Sequence, residues 1–572
     1  MSKTGDDWDR REFLKATAAG GVVGTSALAG CTGGGQETTT EATTEATTEG
    51  GGAETTQGGG ERSGQKLPQY VYLNNPANYN PARHDAINLI GTQLNKLGLD
   101  VKVQVFEWGT LYNRVTQEQN FGFTTWNRGL GIDPGRRMPE MFHSSNTDPG
   151  EGNFTGYVNK DLDPVLTKQL QTSNTDKRVD MLFRIEKTIN EDVPMHPIVQ
   201  MPNIVAFNNQ QVTGWTDHIA GYYQFEPMTN VKVTADHNEL RGAWPETLGT
   251  MNVLGYNNET KLIHQFEMLY DKLVRINSEL EPDPKLSLAT EWERPGDKSV
   301  RYKIREGHKW HDGKPVTPED VKFTLDYIKE NQIPLYSTQW ERYGKDAVTV
   351  DGQWVKVEFN EKIGPVHTLF SNQIPIVPKH KWESRSDPAN MSVKKPIGSG
   401  PLQFDYWDQG SELGLKKYSN HWHTVNFDRR IWRIIPESST VWSLLKSGKL
   451  NYLPFTRIGR QLSQNQNQKQ IGVQSTAGDG WWHFSQNFRK PGLDDAAVRQ
   501  AAVHAIPKTA INKQLLYGFA KEGWNLVGES FGKYSNPDVK KYQQKNGVEV
   551  GKQRLKKAGY TFDENGKAHF PE

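Results

Sequence analysis

An α/β fold is predicted for the folded part of this 572-residue chain, on three observations. Strand-like and helix-like segments alternate from residue 67 onward, valines alternate with polar residues over 99–106, and the length suffices for two or three large lobes with their own cores. Residues 67–74 are apolar and aromatic and predict a strand. A helical pattern over 81–97 stops at Gly98, and 99–106 predicts a second strand. A helix from Thr110 and a strand over 121–126 complete a strand-helix-strand-helix-strand succession, the pattern of a sheet covered by helices. Helices follow over 162–172 and 177–191, then an apolar segment at 197–207.

Periodicity is lost over 212–246, which predicts a connection, and a second half begins near Leu248. A helix is expected over 264–273, followed by short strands and the charged turn GHKWHDGK at 307–314. The TPED sequence from Thr317 places Thr as N-cap with Asp320 three residues on, close to a capping box. Residues 396–453 are strand-rich, and 494–517 is helical apart from a break at Pro507.

The amino-terminal sixty residues follow different rules. Residues 9–15, DRREFLK, pair Arg10 with Arg11 ahead of a weakly apolar run at 16–29. That order resembles a twin-arginine export signal, although Asp9 stands where Ser or Thr is usual. A stable membrane span takes about twenty apolar residues, so this run is too short. Leu28-Ala29-Gly30-Cys31 resembles a lipobox, which implies cleavage before the single cysteine and a diacylglycerol on Cys31. Thr, Glu, Gly and Gln dominate residues 32–64, a composition that buries too little apolar surface to fold and predicts a tether with a reach of roughly 30 Å.

Lys plus Arg number 68 and Asp plus Glu 67, a balance that sets up no field for nucleic acid. One cysteine excludes internal disulfides and cysteine metal clusters. No Gly-x-Ser-x-Gly elbow or Walker phosphate loop is present. His308 with His311, and His421 with His423, are each spaced like half a metal site, but neither pair has Glu or Asp in a zinc-protease arrangement, so no metal and no cofactor is expected.

Residues 302–323, YKIREGHKWHDGKPVTPEDVKF, resemble the most recognisable stretch of the family 5 extracellular solute-binding proteins, receptors of ABC transporters for dipeptides, oligopeptides, nickel and some oligosaccharides. Residues 396–422, 428–450, 488–511 and 256–277 are similar to further parts of that family. The segments GLDVKVQVFEW, FHSSNTDPGEGNFTGYVNKDLDPVL and IVAFNNQQVTGW resemble its C-terminal third, yet here they come first. The order resembles a circular permutant, with the old termini joined by residues 216–246; a junction of two neighbouring gene fragments is the alternative.

The resemblance implies a two-lobed periplasmic-binding-protein-like (class II) α/β fold with mixed sheets and a hinge. Its expected layout is a signal at 1–30, a tether at 31–65, one lobe from 66–200 and 490–572, and a second from 201–489 that contains a subdomain at 286–395. The chain is expected to pass between lobes near 201–205 and 486–488. The implied work is capture of a peptide or oligosaccharide without catalysis, by a monomer held to the outer face of the cytoplasmic membrane, for a permease and ATPase. A sensor lipoprotein and a secreted hydrolase are the alternatives.

Residues 126–133, WNRGLGID, resemble the family's cleft loop, where peptide receptors carry an aspartate for the ligand's α-amino group. That position falls on Leu130, so the peptide reading lacks its usual carboxylate. Trp126, Arg128 and Asp133 are candidate ligand contacts, Asp133 also being a good turn residue before proline. Trp481 and Trp482 are neighbours on a predicted strand, so that one faces the cleft and the other a core. Trp407, in the YWDQG turn, is a further candidate for stacking.

Overall fold

The computed structural model describes residues 62–255, 267–454, 456–542 and 545–572. Arg10, Arg11, Cys31 and the expected tether up to residue 61 lie outside them. No helix among the described residues is long and apolar enough to cross a membrane.

The chain starts with β1 (Gln69–Asn74), α1 (Pro81–Leu97), β2 (Asp100–Val105) and α2 (Trp108–Thr116). Asn80 caps α1 by accepting from the Arg83 amide at 3.1 Å, Pro81 fills the first turn, and Gly98 closes the helix at φ 107°. The apolar face Ala86, Ile87, Ile90, Leu94 and Leu97 is wholly buried. β1 pairs in parallel with β2 and with the short β3 (Phe123–Thr124), and β4 (Asn127–Gly129) follows. α3 (Thr175–Asp192) then leads into β5 (Met195–Asn208), whose main partner, the antiparallel β6 (Ile471–Gln486), comes from far along the chain. The sheet runs in the order Tyr452–Leu453, β5, β6, β3, β1, β2, with β4 pairing with β6 and Lys521–Glu522 with β5.

Two helices from the chain's end, α4 (Ala496–His504) and α5 (Gly547–Lys557), pack on this sheet. Leu67, Ile90 and Phe123 share one core with Val498, Ala501, Leu555 and Phe570. On the opposite face Leu111, Phe142, Leu182 and Trp481 form another. A third and larger core gathers residues from Val205 to Tyr452 around two four-stranded sheets. Mixed α/β architecture with several sheets is therefore the fold. β5 and β6 span the cores: Ile198, Trp482 and Phe484 lie in the first, Val205 in the third, while Ile204, Ala206 and Ile471 pack with Trp442 and Leu445. Between these parts Pro202 and Asn203 pair with Ala477 and Thr476, and at the end of β6 Gln486 is buried, donating to the Val193 and Arg499 carbonyls.

Two expected elements differ. The connection at 212–246 contains a strand, Glu239–Trp244, that pairs in parallel with Arg429–Ile434; Leu240 is buried, and the partner is too distant in sequence for local pattern to reveal it. The expected helix at 264–273 lies partly outside the described residues, and residues 267–273 are not helical. Their carbonyls serve other segments instead: Leu269 and Met268 accept from the Gly400 and Leu402 amides, Lys272 and Leu273 from those of Leu288 and Ala289. A helix would withdraw those acceptors. The break at Pro507 is present, separating α4 from Lys508–Ala510.

Candidate functional site

β6 is irregular where it meets β4. Its pairing with β5 shifts register between Ala477 and Trp481, and the intervening Gly478-Asp479-Gly480 bulges toward the loop after β4. Asp479 accepts from the Gly131 amide at 2.7 Å through its carboxylate and from the Leu130 amide at 3.3 Å through its carbonyl. Gly129 lets the two segments approach closely: a Cβ there would sit 2.5 Å from the Asp479 carboxylate and push that side chain aside. Burial raises the Asp479 pKa; the Gly131 bond and the charge of Arg137 pull the other way without overcoming it. A partly buried carboxylate is thus brought beside Leu130, the position where the sequence lacks one.

Beside it stand three arginines. Arg128 and Arg137 both donate to Glu140 Oε1, at 3.0 Å each, and Arg137 also donates to the Gly129 carbonyl at 3.1 Å. Arg128 lies over the Phe154 ring at 5.3 Å, and its Nη1 is buried without a hydrogen-bond partner. Burial, reinforced by Arg137, lowers its pKa to about 10, so it stays charged at neutral pH. Burial opposes the charge of Glu140 too, but the arginines hold its pKa below the usual carboxylate range. Arg136 is exposed beside them.

An aromatic wall adjoins the charges. Trp126 meets the edge of Trp108 at 5.8 Å and lies 6.3 Å from Tyr112, while Tyr79 stacks parallel to Trp108 at 6.0 Å. Tyr79 and Tyr112 are exposed. Behind Trp126 sits His483, 4.7 Å away and edge-on, held neutral by burial and by the nearby Arg128 and Arg83. Trp481 is fully buried in the same core and donates its indole N–H to the Leu526 carbonyl at 2.8 Å.

Of the residues singled out in the sequence, Trp126, Arg128 and Trp481 come together. Trp482 points to the opposite face of the sheet, into the first core. Trp407 lies on another sheet, on the strand Leu402–Asp408, half-buried against the third core. Asp133 has both oxygens engaged: Oδ1 takes Arg178 at 2.5 Å and the Gly135 amide at 2.9 Å, Oδ2 takes the Thr368 hydroxyl at 2.7 Å. Asp479, Arg137 and Glu140 escaped the sequence reading. The signal for Asp479 was its pair of flanking glycines inside a strand, a mark of a bulge or close backbone approach. Among the described residues one group suits a metal ion, Asp271 with His308 and His421, and it lies beside the third core.

The family profile for bacterial extracellular solute-binding proteins, family 5 Middle, matches residues 283–570, and the chain belongs to that family. It is similar to the dipeptide-binding protein of Escherichia coli, 26% identical over 316 residues, covering 51% of this chain and 58% of that protein. It is also similar to the oligopeptide-binding protein AppA of Bacillus subtilis, 27% identical over 317 residues, covering 52% and 55%. The aligned part thus spans little more than half the length of these curated relatives. Among solved structures, NikZ from Campylobacter jejuni in complex with Ni(L-His) aligns with TM-score 0.43 and 20% identity, covering 59% of this chain and 66% of that one.

Proposed function

We propose that this protein is the solute-binding component of an ABC importer, capturing a short peptide between two lobes and handing it to a permease and ATPase. The observation that carries the reading is Asp479, a partly buried carboxylate that accepts from the Gly131 amide beside the arginine cluster. An ammonium can pair directly with this carboxylate, which Arg137 influences only through its charge, and the neighbouring arginines suit the carboxylate at the far end of the same ligand. Trp126 and Trp481 back this wall, with Tyr79 and Tyr112 offering ring faces to ligand side chains. Dipeptide- and oligopeptide-binding relatives support the same class of ligand.

In this reading residues 66–200 and 490–572 form one lobe of a circular permutant, residues 201–489 form the other, and β5 with β6 is the hinge. The Arg10-Arg11 signal exports the chain, and Cys31 carries the lipid that holds it outside the cytoplasmic membrane. No bond of the ligand is made or broken. Thermal-shift screening of the full chain against peptides, oligosaccharides and nickel chelates tests this, since a ligand present at 100 times its Kd stabilises by about 2.7 kcal/mol. Peptides are expected to raise the melting point; a response confined to oligosaccharides or chelates refutes the peptide assignment, and no response to any class refutes capture.

A further inference from the structure

Two histidine pairs in the sequence each looked like half a metal site, and the fold joins one member of each. Asp271 Oδ2 lies 3.2 Å from His308 Nε2, and Asp271 Oδ1 lies 3.2 Å from His421 Nε2. All three side chains are at most 2% exposed, and their candidate ligand atoms lie within 4.8 Å of one another. His311 and His423 take other roles: His311 contacts the Gly400 carbonyl at 2.9 Å, and His423 supplies main-chain groups to His421.

The cluster is built by close backbone approach. Gly398 and Gly400 press against the main chain of Met268 and Leu269, where a Cβ on Gly400 would come within 2.4 Å of the Met268 carbonyl. Between them Ser399 places its hydroxyl 2.8 Å from Asp271 Oδ2 and its carbonyl 3.0 Å from His308 Nε2. We propose that Asp271, His308 and His421 form a structural site for a divalent transition-metal cation such as Zn2+, with an oxygen of Ser399 available as a fourth ligand.

The chemistry of the donors fits. Two imidazoles and a carboxylate form a borderline set that zinc takes at about 2.0–2.2 Å, so ligand atoms about 3.2 Å apart suit one ion between them. His421 Nδ1 lies 2.8 Å from the His423 carbonyl. When that nitrogen donates its proton there, a neutral ring presents a bare Nε2 toward Asp271, and two lone pairs face each other unless a cation sits between them. Donation of the second ring N–H to a backbone carbonyl is the usual way a protein orients a ligating histidine. The competing arrangement has His421 Nδ1 accept from the His423 amide at 3.0 Å while its Nε2–H donates to Asp271, and has His308 Nε2–H donate to the Ser399 carbonyl at 3.0 Å; it needs no ion, whereas metal binding requires His308 to carry its proton on Nδ1. Trp422 covers the site, stacked on His421 at 3.9 Å and edge-on to His308 at 4.6 Å, so a bound ion is shielded from solvent.

The full chain, stripped with a chelator and dialysed against Zn2+, is to be analysed for metal content and by X-ray absorption. The expected result is about one zinc per chain with two imidazoles in its shell, loss of at least about tenfold in affinity in H421Q and in H308Q, and none in H380Q, whose histidine contacts Asp312 instead. Circular dichroism and a cooperative melt establish that each variant folds, and the wild-type absorption spectrum decides the matter if either does not. Absence of retained zinc, zinc held equally by folded H421Q, or a shell of oxygens alone overturns the proposal. None of these outcomes bears on peptide capture.

Discussion

Asp133 and Thr368, 235 positions apart, meet through a 2.7 Å hydrogen bond that ties the loop after β4 to the segment around the third core. The same region is joined a second time by the Gly364 amide, which donates to the Leu170 carbonyl at 2.7 Å. Asp133 therefore acts as a clasp, with Arg178 neutralising its charge in a pair that is 5% and 1% exposed.

Removing one partner of a buried pair leaves the other uncompensated, which typically costs about 3–5 kcal/mol. Asp133→Ala is expected to destabilise by that order, whereas Thr368→Val, which leaves the ion pair in place, should cost about 1–3 kcal/mol. Urea denaturation of the two variants checks the ranking. Equal costs would show that the hydroxyl, not the ion pair, dominates the clasp.

Glu186 gives a pH signature. Burial raises its pKa to about 8 despite bonds from the Asn536 amide and the Asn525 side chain. Because the folded value lies above the unfolded one near 4.5, the group's contribution is fully present below pH 4.5 and is lost as pH rises through about 8. Glu186→Gln, which keeps the neutral shape, should gain stability over the wild type as pH climbs from 4.5 to 9, by on the order of 3 kcal/mol at the top of that range. Melting curves across that range measure it, and a difference independent of pH would contradict it.

Glu267 has the opposite sign. Burial opposes its charge, but Lys272 and Arg275, both in direct contact, hold its pKa at about 2. Its contribution is present above pH 4.5 and is lost as pH falls toward 2. Glu267→Gln is expected to be markedly less stable than the wild type at pH 7 and to approach it near pH 2. A gap that persists at low pH would mean that packing, not charge, is what the substitution removes.

Local pattern made much of the scaffold legible. The helix Pro81–Leu97 was readable from its first-turn proline, its apolar spacing and Gly98, whereas 197–207 showed itself only as an apolar segment, not as the strand β5. What stayed hidden depends on partners far away in sequence. The strand Glu239–Trp244 exists because Arg429–Ile434 lies beside it, and residues 267–273 are held out of a helix by amides at 288, 289, 400 and 402. The site divides in the same way: Trp126 and Arg128 stood out in one loop, but for Asp479 the flanking glycines signalled a close approach without its partner, since Gly131 lies 348 positions away.

The most direct test of the account is calorimetric titration of the full chain with one tripeptide in two forms, amino terminus free and acetylated, against the wild type and Asp479→Asn. Pairing of Asp479 with an ammonium predicts that acetylation weakens binding to the wild type by about tenfold or more and that this difference disappears in the variant. Equal affinity of both peptides for the wild type, or the same discrimination in Asp479→Asn, would contradict it.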